Sequence, residues 1–250
     1  MTPLRQTFRG YLRQRRHTAL TAAIVGAFLV RPLVGDSPAA PIVFSLAFGV
    51  LLLAALYTIQ VDELVGDRQV LLTQRRRRSL VGWALAVPAI AERIYMILAP
   101  SPRLYVVGAI SWLLFFGFVT VSQLRSLLRQ KQVTSETIAI TISVYLLIGL
   151  TWGMLYITLF ELHPDAFSFP AASSPTSDLS PDSQNVLPVF IYFSLTTLAT
   201  IGFGDILPLT LQARYAAVAE GIAGQLYLAI LVARLVGMQM GHAVRPDTRD

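Results

Sequence analysis

The chain has 250 residues, of which 54% are hydrophobic and only 14% charged, with a formal net charge of +6 and no cysteine. A soluble domain carries about a quarter charged residues, so this composition, with its apolar residues in long blocks, indicates a multi-pass membrane protein. The lack of cysteine excludes disulfides and thiolate metal sites. The basic residues cluster at the ends of apolar segments, which is typical of membrane topology and not of a nucleic-acid-binding face.

Apolar segments long enough to cross about 30 Å of hydrocarbon recur along the chain. Six are predicted to be transmembrane helices: 18–35, 40–61, 79–99, 104–124, 136–160 and 210–236. The expected fold class is therefore an all-α membrane protein. Residues 1–17 are a basic N-terminal segment without a convincing cleavage site, which favours a retained anchor over a cleaved leader. Residues 241–250 form a short tail.

Loop charge predicts the orientation of these spans. Arginines concentrate in the N-terminal segment, in the second loop (Arg75 to Arg78) and in the fourth loop, whereas residues 161–185 carry none. The positive-inside rule then places both termini in the cytoplasm, which agrees with an even number of spans. The arginine-rich, cysteine-free composition suggests the inner membrane of a bacterium. The 161–185 loop, with its four acids, is interpreted either as a solvated loop or as a weakly cation-attracting vestibule.

A shorter apolar segment precedes the last span. At about 1.5 Å per residue, "VLPVFIYFSLTTLAT" (186–200) reaches only ~22 Å as a helix, so a re-entrant pore helix is predicted at 186–199. "TIGFGD" (200–205) follows directly. Non-helical backbone is tolerated at membrane depth only where it lines a water-filled cavity or is buried in protein. Glycine at alternate positions permits the φ values that aim successive carbonyl oxygens the same way.

Residues 200–205 resemble the selectivity filter of potassium channels, and "YFSLTTLATIGFGDILPLTLQARY" (192–215) resembles the pore helix, filter and outer mouth of that family. The likeness covers about 136–240. It implies a pore domain at 132–240 and a homotetramer, because one filter copy per chain cannot close a ring. Residues 18–131 are then a four-helix membrane domain that is similar to a voltage sensor in span count only. The implied permeating ion is K⁺, without a further cofactor.

Carried over position by position, the resemblance implies which residues bind the ion. K⁺ would be held by the backbone carbonyls of Thr200, Ile201, Gly202 and Phe203, with the Thr200 hydroxyl closing the innermost site. Gly204 would permit the turn toward the mouth. The side chain of Phe203, which replaces the more usual tyrosine, is expected to point away from the ions. Support for the filter is expected from Asp205 behind it, from Tyr192 and Phe193 at positions where tryptophans are common, and from Thr196.

Gating is less well marked in the sequence. Between Arg103 and Arg125 the fourth span has no charged residue, and a span without interior charge gains almost nothing from the membrane potential, which argues against strong voltage gating. Gly221 and Gly224 are interpreted either as a hinge of the inner helix or as close-packing positions against the pore helix. Glu220 is expected to bond to the back of the pore helix or to a neighbouring subunit. Arg214 is expected to pair with an acid at the outer mouth.

The function predicted from these features is passive, potassium-selective conduction. A weakly selective monovalent cation channel on the same scaffold and an ion-translocating transporter subunit are the alternatives. An enzyme is disfavoured, because the histidines (His17, His163 and His242) are scattered over loops and ends. Membrane lipid is the other expected partner, with the basic "QRRRRS" loop interpreted mainly as a topology signal. Nucleic acid is not expected.

Overall fold

The computed structural model describes residues 16–35, 37, 40–61, 70–98, 102–130, 133–169 and 186–243. The helices of this part are α1 (Arg16–Val34), α2 (Ala40–Val61), α3 (Val70–Leu98), α4 (Pro102–Arg129), α5 (Ser135–Leu162), α6 (Val186–Leu198) and α7 (Leu211–Ala243). A 3-10 turn (Pro164–Ala166) and two short strands, β1 (Phe167–Ser168) and β2 (Leu207–Pro208), complete it. Most of the predicted N-terminal segment and tail, and residues 170–185 of the predicted external loop, lie outside the described residues.

Three helices of the described part are long and apolar enough to cross a membrane. They are Tyr105–Arg129, Ser135–Leu162 and Leu211–Gly237, and they coincide with the predicted spans at 104–124, 136–160 and 210–236. The predicted spans at 18–35, 40–61 and 79–99 fall on α1, α2 and α3. The apolar helical stretches found there are shorter: His17–Val30, Ser45–Ile59 and Ser79–Glu92. The protein is thus a largely helical membrane protein, and the full count of six spans stays a prediction.

Helix α5 lies at the centre of the fold, with α1, α4, α6 and α7 packed around it. Its contacts with α1 and α4 include hydroxyl pairs as well as apolar side chains. Thr21 Oγ1 lies 2.7 Å from Ser143 Oγ, and Thr120 Oγ1 lies 2.9 Å from Thr151 Oγ1. Hydroxyls of this kind hold helices together where the surroundings offer no water.

The start of α1 is fastened to the start of α5. The carboxylate of Glu136 accepts hydrogen bonds from the backbone N–H of His17 at 3.1 Å and from Thr18 Oγ1 at 2.6 Å. A carboxylate at a helix N-terminus satisfies N–H groups that have no partner within the helix and opposes the positive end of the helix dipole. Helix α1 is therefore anchored to α5, the helix on which α6 packs.

Part of the predicted irregular loop at 161–185 is ordered. Helix α5 continues to Leu162, the 3-10 turn follows, and β1 pairs antiparallel with β2, so that Phe167 faces Pro208. The backbone N–H of Leu209 also donates to the Ala166 carbonyl at 2.8 Å. Ala166 and Phe167 are buried, and this burial fixes a segment that its composition marks as loop.

Candidate functional site

Helix α6, the predicted pore helix, is held against α5 by two glycines of α5. Ser194 Oγ donates to the Gly149 carbonyl at 2.7 Å, and a Cβ built on Gly153 would lie 3.5 Å from the Cα of Ile191. Such close approach of two backbones requires small residues at a spacing of four. This contact was missed in the sequence, although the Gly-x-x-x-Gly spacing at 149 and 153 was the signal for it.

The end of α6 leads directly into residues 199–205. They contain the predicted filter and are called the filter segment. The backbone N–H groups of Thr200 and Ile201 donate to the carbonyls of Thr197 at 2.9 Å and Thr196 at 2.8 Å, and the N–H of Gly202 also reaches Thr196 O at 3.3 Å. This is the Schellman arrangement of a helix C-terminus, in which the left-handed position is usually glycine. Thr196, one of the predicted supports, thus holds the filter through its main chain.

Thr200 occupies that left-handed position with φ of 58°, and it is the non-glycine residue with positive φ in the described part of the chain. A β-branched residue is strained there, at a cost of order 1–3 kcal/mol, and strain of this kind clusters at functional sites. The residue that the sequence marks as the innermost cation ligand is therefore also the strained one.

Positive φ recurs at every second residue of the filter segment. Gly202 has φ of 54° and Gly204 has φ of 77°, whereas Ile201 and Phe203 between them do not enter the positive region. Glycine adopts these values without the steric penalty that a Cβ imposes. The sequence expectation that both glycines are needed for their backbone conformation agrees with this geometry.

The filter segment is exposed on the single chain. Residues 199–205 are all exposed, and 58% of the surface of Ile201 and 67% of that of Phe203 are accessible. Helix α7, the predicted inner helix, is similarly open. Only 11% of its most apolar 18-residue stretch is buried, against 56% for the corresponding stretch of α5. Both elements therefore present large surfaces that the described part of the chain does not cover.

Tyr192 of the pore helix joins two filter side chains. Its ring stacks on Phe203, with centroids 6.2 Å apart and planes 3° from parallel, and its hydroxyl donates to Asp205 Oδ2 at 2.8 Å. The phenol stays a donor to the carboxylate, and Phe203 is held against the pore helix.

Phe193 has a different role from Tyr192. Its ring is buried and packs 5.0 Å from Tyr156 and 5.7 Å from Phe167, between α5 and β1. Successive residues of a helix are about 100° apart around its axis, so Tyr192 and Phe193 face different neighbours. Phe193 supports the pore helix from behind.

At the predicted outer mouth, Arg214 bonds to the backbone, and its expected pairing with an acid stays a prediction, since Asp178 and Asp182 lie outside the described residues. Its Nε donates to the backbone carbonyl of Pro208 at 3.1 Å, and within the described residues no carboxylate accepts from it. Pro208 belongs to β2, which follows the filter. The arginine thus ties the start of α7 to the backbone that leaves the filter.

The predicted hinge glycines lie where α7 passes the pore helix. A Cβ on Gly224 would collide with the Leu198 carbonyl oxygen and would lie 2.9 Å from Leu198 Cδ1, whereas a Cβ on Gly221 would meet Thr197 O at 3.8 Å, an ordinary contact. Helix α7 is continuous through both positions. Close packing therefore explains Gly224, and a hinge motion at either glycine stays a prediction.

Glu220 bonds to the back of the pore helix, as expected. It is fully buried; its Oε1 is in very short contact with Ser194 Oγ, and its Oε2 accepts from the Tyr156 hydroxyl at 2.6 Å. One side chain of α7 thereby reaches both α6 and α5.

The far end of α7 is tied to the α4–α5 connection, which the sequence did not reveal. Arg234 Nη2 donates to the backbone carbonyls of Leu128 at 2.8 Å and Gln130 at 2.9 Å, and Tyr227 donates to Thr141 O at 2.7 Å. Arginine commonly satisfies the last carbonyls of a helix. Its position near the end of an apolar span was compatible with this role but did not identify the partner helix.

Comparison with known proteins bears on the same region. A family model described as "Ion channel" matches residues 167–239, which run from β1 through the pore helix and filter into α7. The match supports an ion channel domain and, with the apolar helices, a membrane protein that conducts ions passively. No curated protein and no solved structure is similar enough to the chain to be matched.

Proposed function

We propose that this protein is a potassium-selective channel in which four copies of the chain surround one conduction pathway. The observation that carries the proposal is the filter backbone: positive φ at Thr200, Gly202 and Gly204, directly after a short pore helix and inside the matched ion channel region. Rings of backbone carbonyls replace the hydration shell of K⁺ in potassium channels. The sites expected here are the carbonyls of Thr200, Ile201, Gly202 and Phe203.

The exposed filter supports a tetramer. Exposed backbone cannot face hydrocarbon, because each unsatisfied polar group costs several kcal/mol there. Residues 199–205 must therefore face water or protein. Four copies around an axis provide both, since ions and water occupy the axis and neighbouring copies cover the flanks of α7.

The remaining helices are proposed to complete a six-span subunit in the cell membrane, with both termini in the cytoplasm. The apolar stretches of α1 to α3 are short, but α1 is anchored to α5 through Glu136, so these helices lie beside the pore unit of their own chain. Helix α4 has no charged residue between Arg103 and Arg125, and this supports weak or absent voltage gating.

Ion flux from purified protein in liposomes tests the proposal. We expect K⁺ efflux that exceeds Na⁺ efflux, and we expect Gly202→Ala to abolish the selective flux. The structure gives the reason: a Cβ at this position meets nothing within 4 Å, but the φ of 54° is one that alanine avoids. The backbone should change while the packing does not.

Gly237→Ala is the matched control, since it lies on α7 with open space around it and should conduct like the wild type. A reversal potential near zero, measured with K⁺ on one side of the membrane and an equal concentration of Na⁺ on the other, would replace the proposal with a weakly selective cation channel. A monomeric particle, or selective flux in Gly202→Ala, would refute the proposed rings of backbone carbonyls.

A further inference from the structure

Three oxygen–oxygen contacts form a continuous chain behind the filter. The Tyr156 hydroxyl lies 2.6 Å from Glu220 Oε2, Glu220 Oε1 is in very short contact with Ser194 Oγ, and Ser194 Oγ lies 2.7 Å from the Gly149 carbonyl oxygen. Tyr156, Ser194 and Glu220 are all at or near complete burial. The chain runs from α5 through α7 to α6 and back to α5.

Counting protons decides how these contacts are made. Each contact needs one hydrogen between its two oxygens. Tyr156 and Ser194 have one hydroxyl hydrogen each, and a backbone carbonyl has none to offer. An ionised Glu220 leaves two hydrogens for three contacts, so that either Ser194 and Gly149 or Ser194 and Glu220 meet as two acceptors.

A protonated Glu220 supplies the third hydrogen. Tyr156 then donates to Oε2, the acid O–H at Oε1 donates to Ser194 Oγ, and Ser194 donates to Gly149 O. All the bonds run in one direction, an arrangement in which each bond polarises and strengthens the next. Within the described part of the chain, the hydrogen-bond partners of Glu220 are hydroxyls and include no basic side chain, and a buried carboxylate without a cation is costly.

We propose that Glu220 is a neutral carboxylic acid that positions the selectivity filter by fastening the pore helix α6 to α7 and α5. Ser194 lies two residues before Thr196 on α6. The Thr196 carbonyl accepts the N–H groups of Ile201 and Gly202. A rotation of α6 that breaks the Ser194 contacts therefore displaces the acceptor on which the filter backbone depends. The functional part of this inference rests on the proposed channel function.

Infrared spectroscopy of the full-length protein in liposomes tests the protonation state without requiring conduction. We expect the wild type to show the carbonyl stretch of a protonated carboxylic acid shielded from water, and Glu220→Gln to lack it. Asp165→Asn is the control, because Asp165 is exposed and its replacement should remove carboxylate bands only. Loss of carboxylate bands alone in Glu220→Gln would overturn the neutral-acid assignment.

Permeability ratios of K⁺ over Na⁺ test the positioning role. Glutamine donates and accepts in the same directions as the neutral acid, so Glu220→Gln should stay within about twofold of the wild type. Glu220→Leu strands two buried hydroxyls and should lower the ratio by about tenfold or more. Ser194→Ala removes one hydroxyl with little change in volume, so it tests the link even where the leucine variant does not assemble, and a fall of about threefold or more is expected.

The outcomes separate the two proposals. If the wild type carries no K⁺, the channel proposal fails, and the infrared band still decides the state of Glu220. If the wild type is selective but Glu220→Gln falls as far as Glu220→Leu, or if Ser194→Ala keeps the wild-type ratio, the positioning role is wrong.

Discussion

Alanine substitutions at three glycines of α7 separate packing from hinge motion. Alanine is favoured over glycine in a helix by about 1 kcal/mol, and the surroundings decide whether this gain survives. Gly237 has open space around it and should keep the gain. At Gly221 the new methyl meets Thr197 O at 3.8 Å, so most of the gain should remain.

Gly224 should behave differently. Its methyl would collide with the carbonyl oxygen of Leu198, which cannot turn away cheaply because it belongs to the backbone at the end of α6 and accepts a bond from the Tyr145 hydroxyl at 3.3 Å. Overpacking of this kind costs about 1–3 kcal/mol. Against a gain of about 1 kcal/mol, Gly224→Ala should be neutral to destabilising by up to about 2 kcal/mol.

Thermal unfolding of the purified protein in one detergent, followed by circular dichroism, ranks the three variants. For a chain of this size 1 kcal/mol corresponds to roughly 2–4 °C, so Gly237→Ala and Gly221→Ala should melt above Gly224→Ala by several degrees. Equal melting temperatures for Gly224→Ala and Gly237→Ala would refute the packing argument. A loss of flux in Gly221→Ala with unchanged melting would instead favour a hinge.

Two further variants test the filter and its support. Thr200→Gly should raise the melting temperature, because it relieves about 1–2 kcal/mol of left-handed backbone strain. It should also lower the K⁺ flux, because the hydroxyl is lost, whereas Thr200→Ser should keep the flux. Equal flux in both variants would contradict a role for the hydroxyl. Tyr192→Phe keeps the stack on Phe203 and removes the bond to Asp205, so we expect a faster decline of flux during sustained conduction, with a free-energy change of up to about 1 kcal/mol for one exposed bond. A time course that matches the wild type would show that this bond does not hold the filter.

The sequence predicted the short helix before the filter segment and the special backbone of the filter glycines, because local chemistry determines both. A short apolar helix followed by alternating glycines admits few structures at membrane depth. In the structure, α6 ends at Leu198 and both filter glycines have positive φ. The hydrogen bonding of Glu220 to the back of α6 was also expected, because a carboxyl group among apolar residues has to find polar partners. These inferences needed no knowledge of distant contacts.

The parts that the sequence did not predict depend on backbone contacts that leave no pattern of residue types in the sequence. The strand pair of β1 and β2 has two residues per strand, too few for an alternating pattern to be visible. The strain at Thr200 arises from the Schellman turn, which exists only once α6 has ended there. Arg214 and Arg234 both bond to backbone carbonyls, which every residue carries, so composition could not single out their partners.

In the proposed tetramer, neighbouring copies would meet at the surface of α7. Tyr215, Val218, Ile222 and Leu226 recur at helical spacing along one stripe and are between 54% and 69% exposed. Gly224, which packs against the pore helix, lies outside this stripe and is buried. Lipid could cover such a stripe alone, but it cannot cover the exposed main chain of residues 199–205 on the same polypeptide. In the proposed channel the filter borders water, so α7, which follows it after β2, would lie beside the aqueous axis, and its uncovered faces would be those that other copies and the pore occupy.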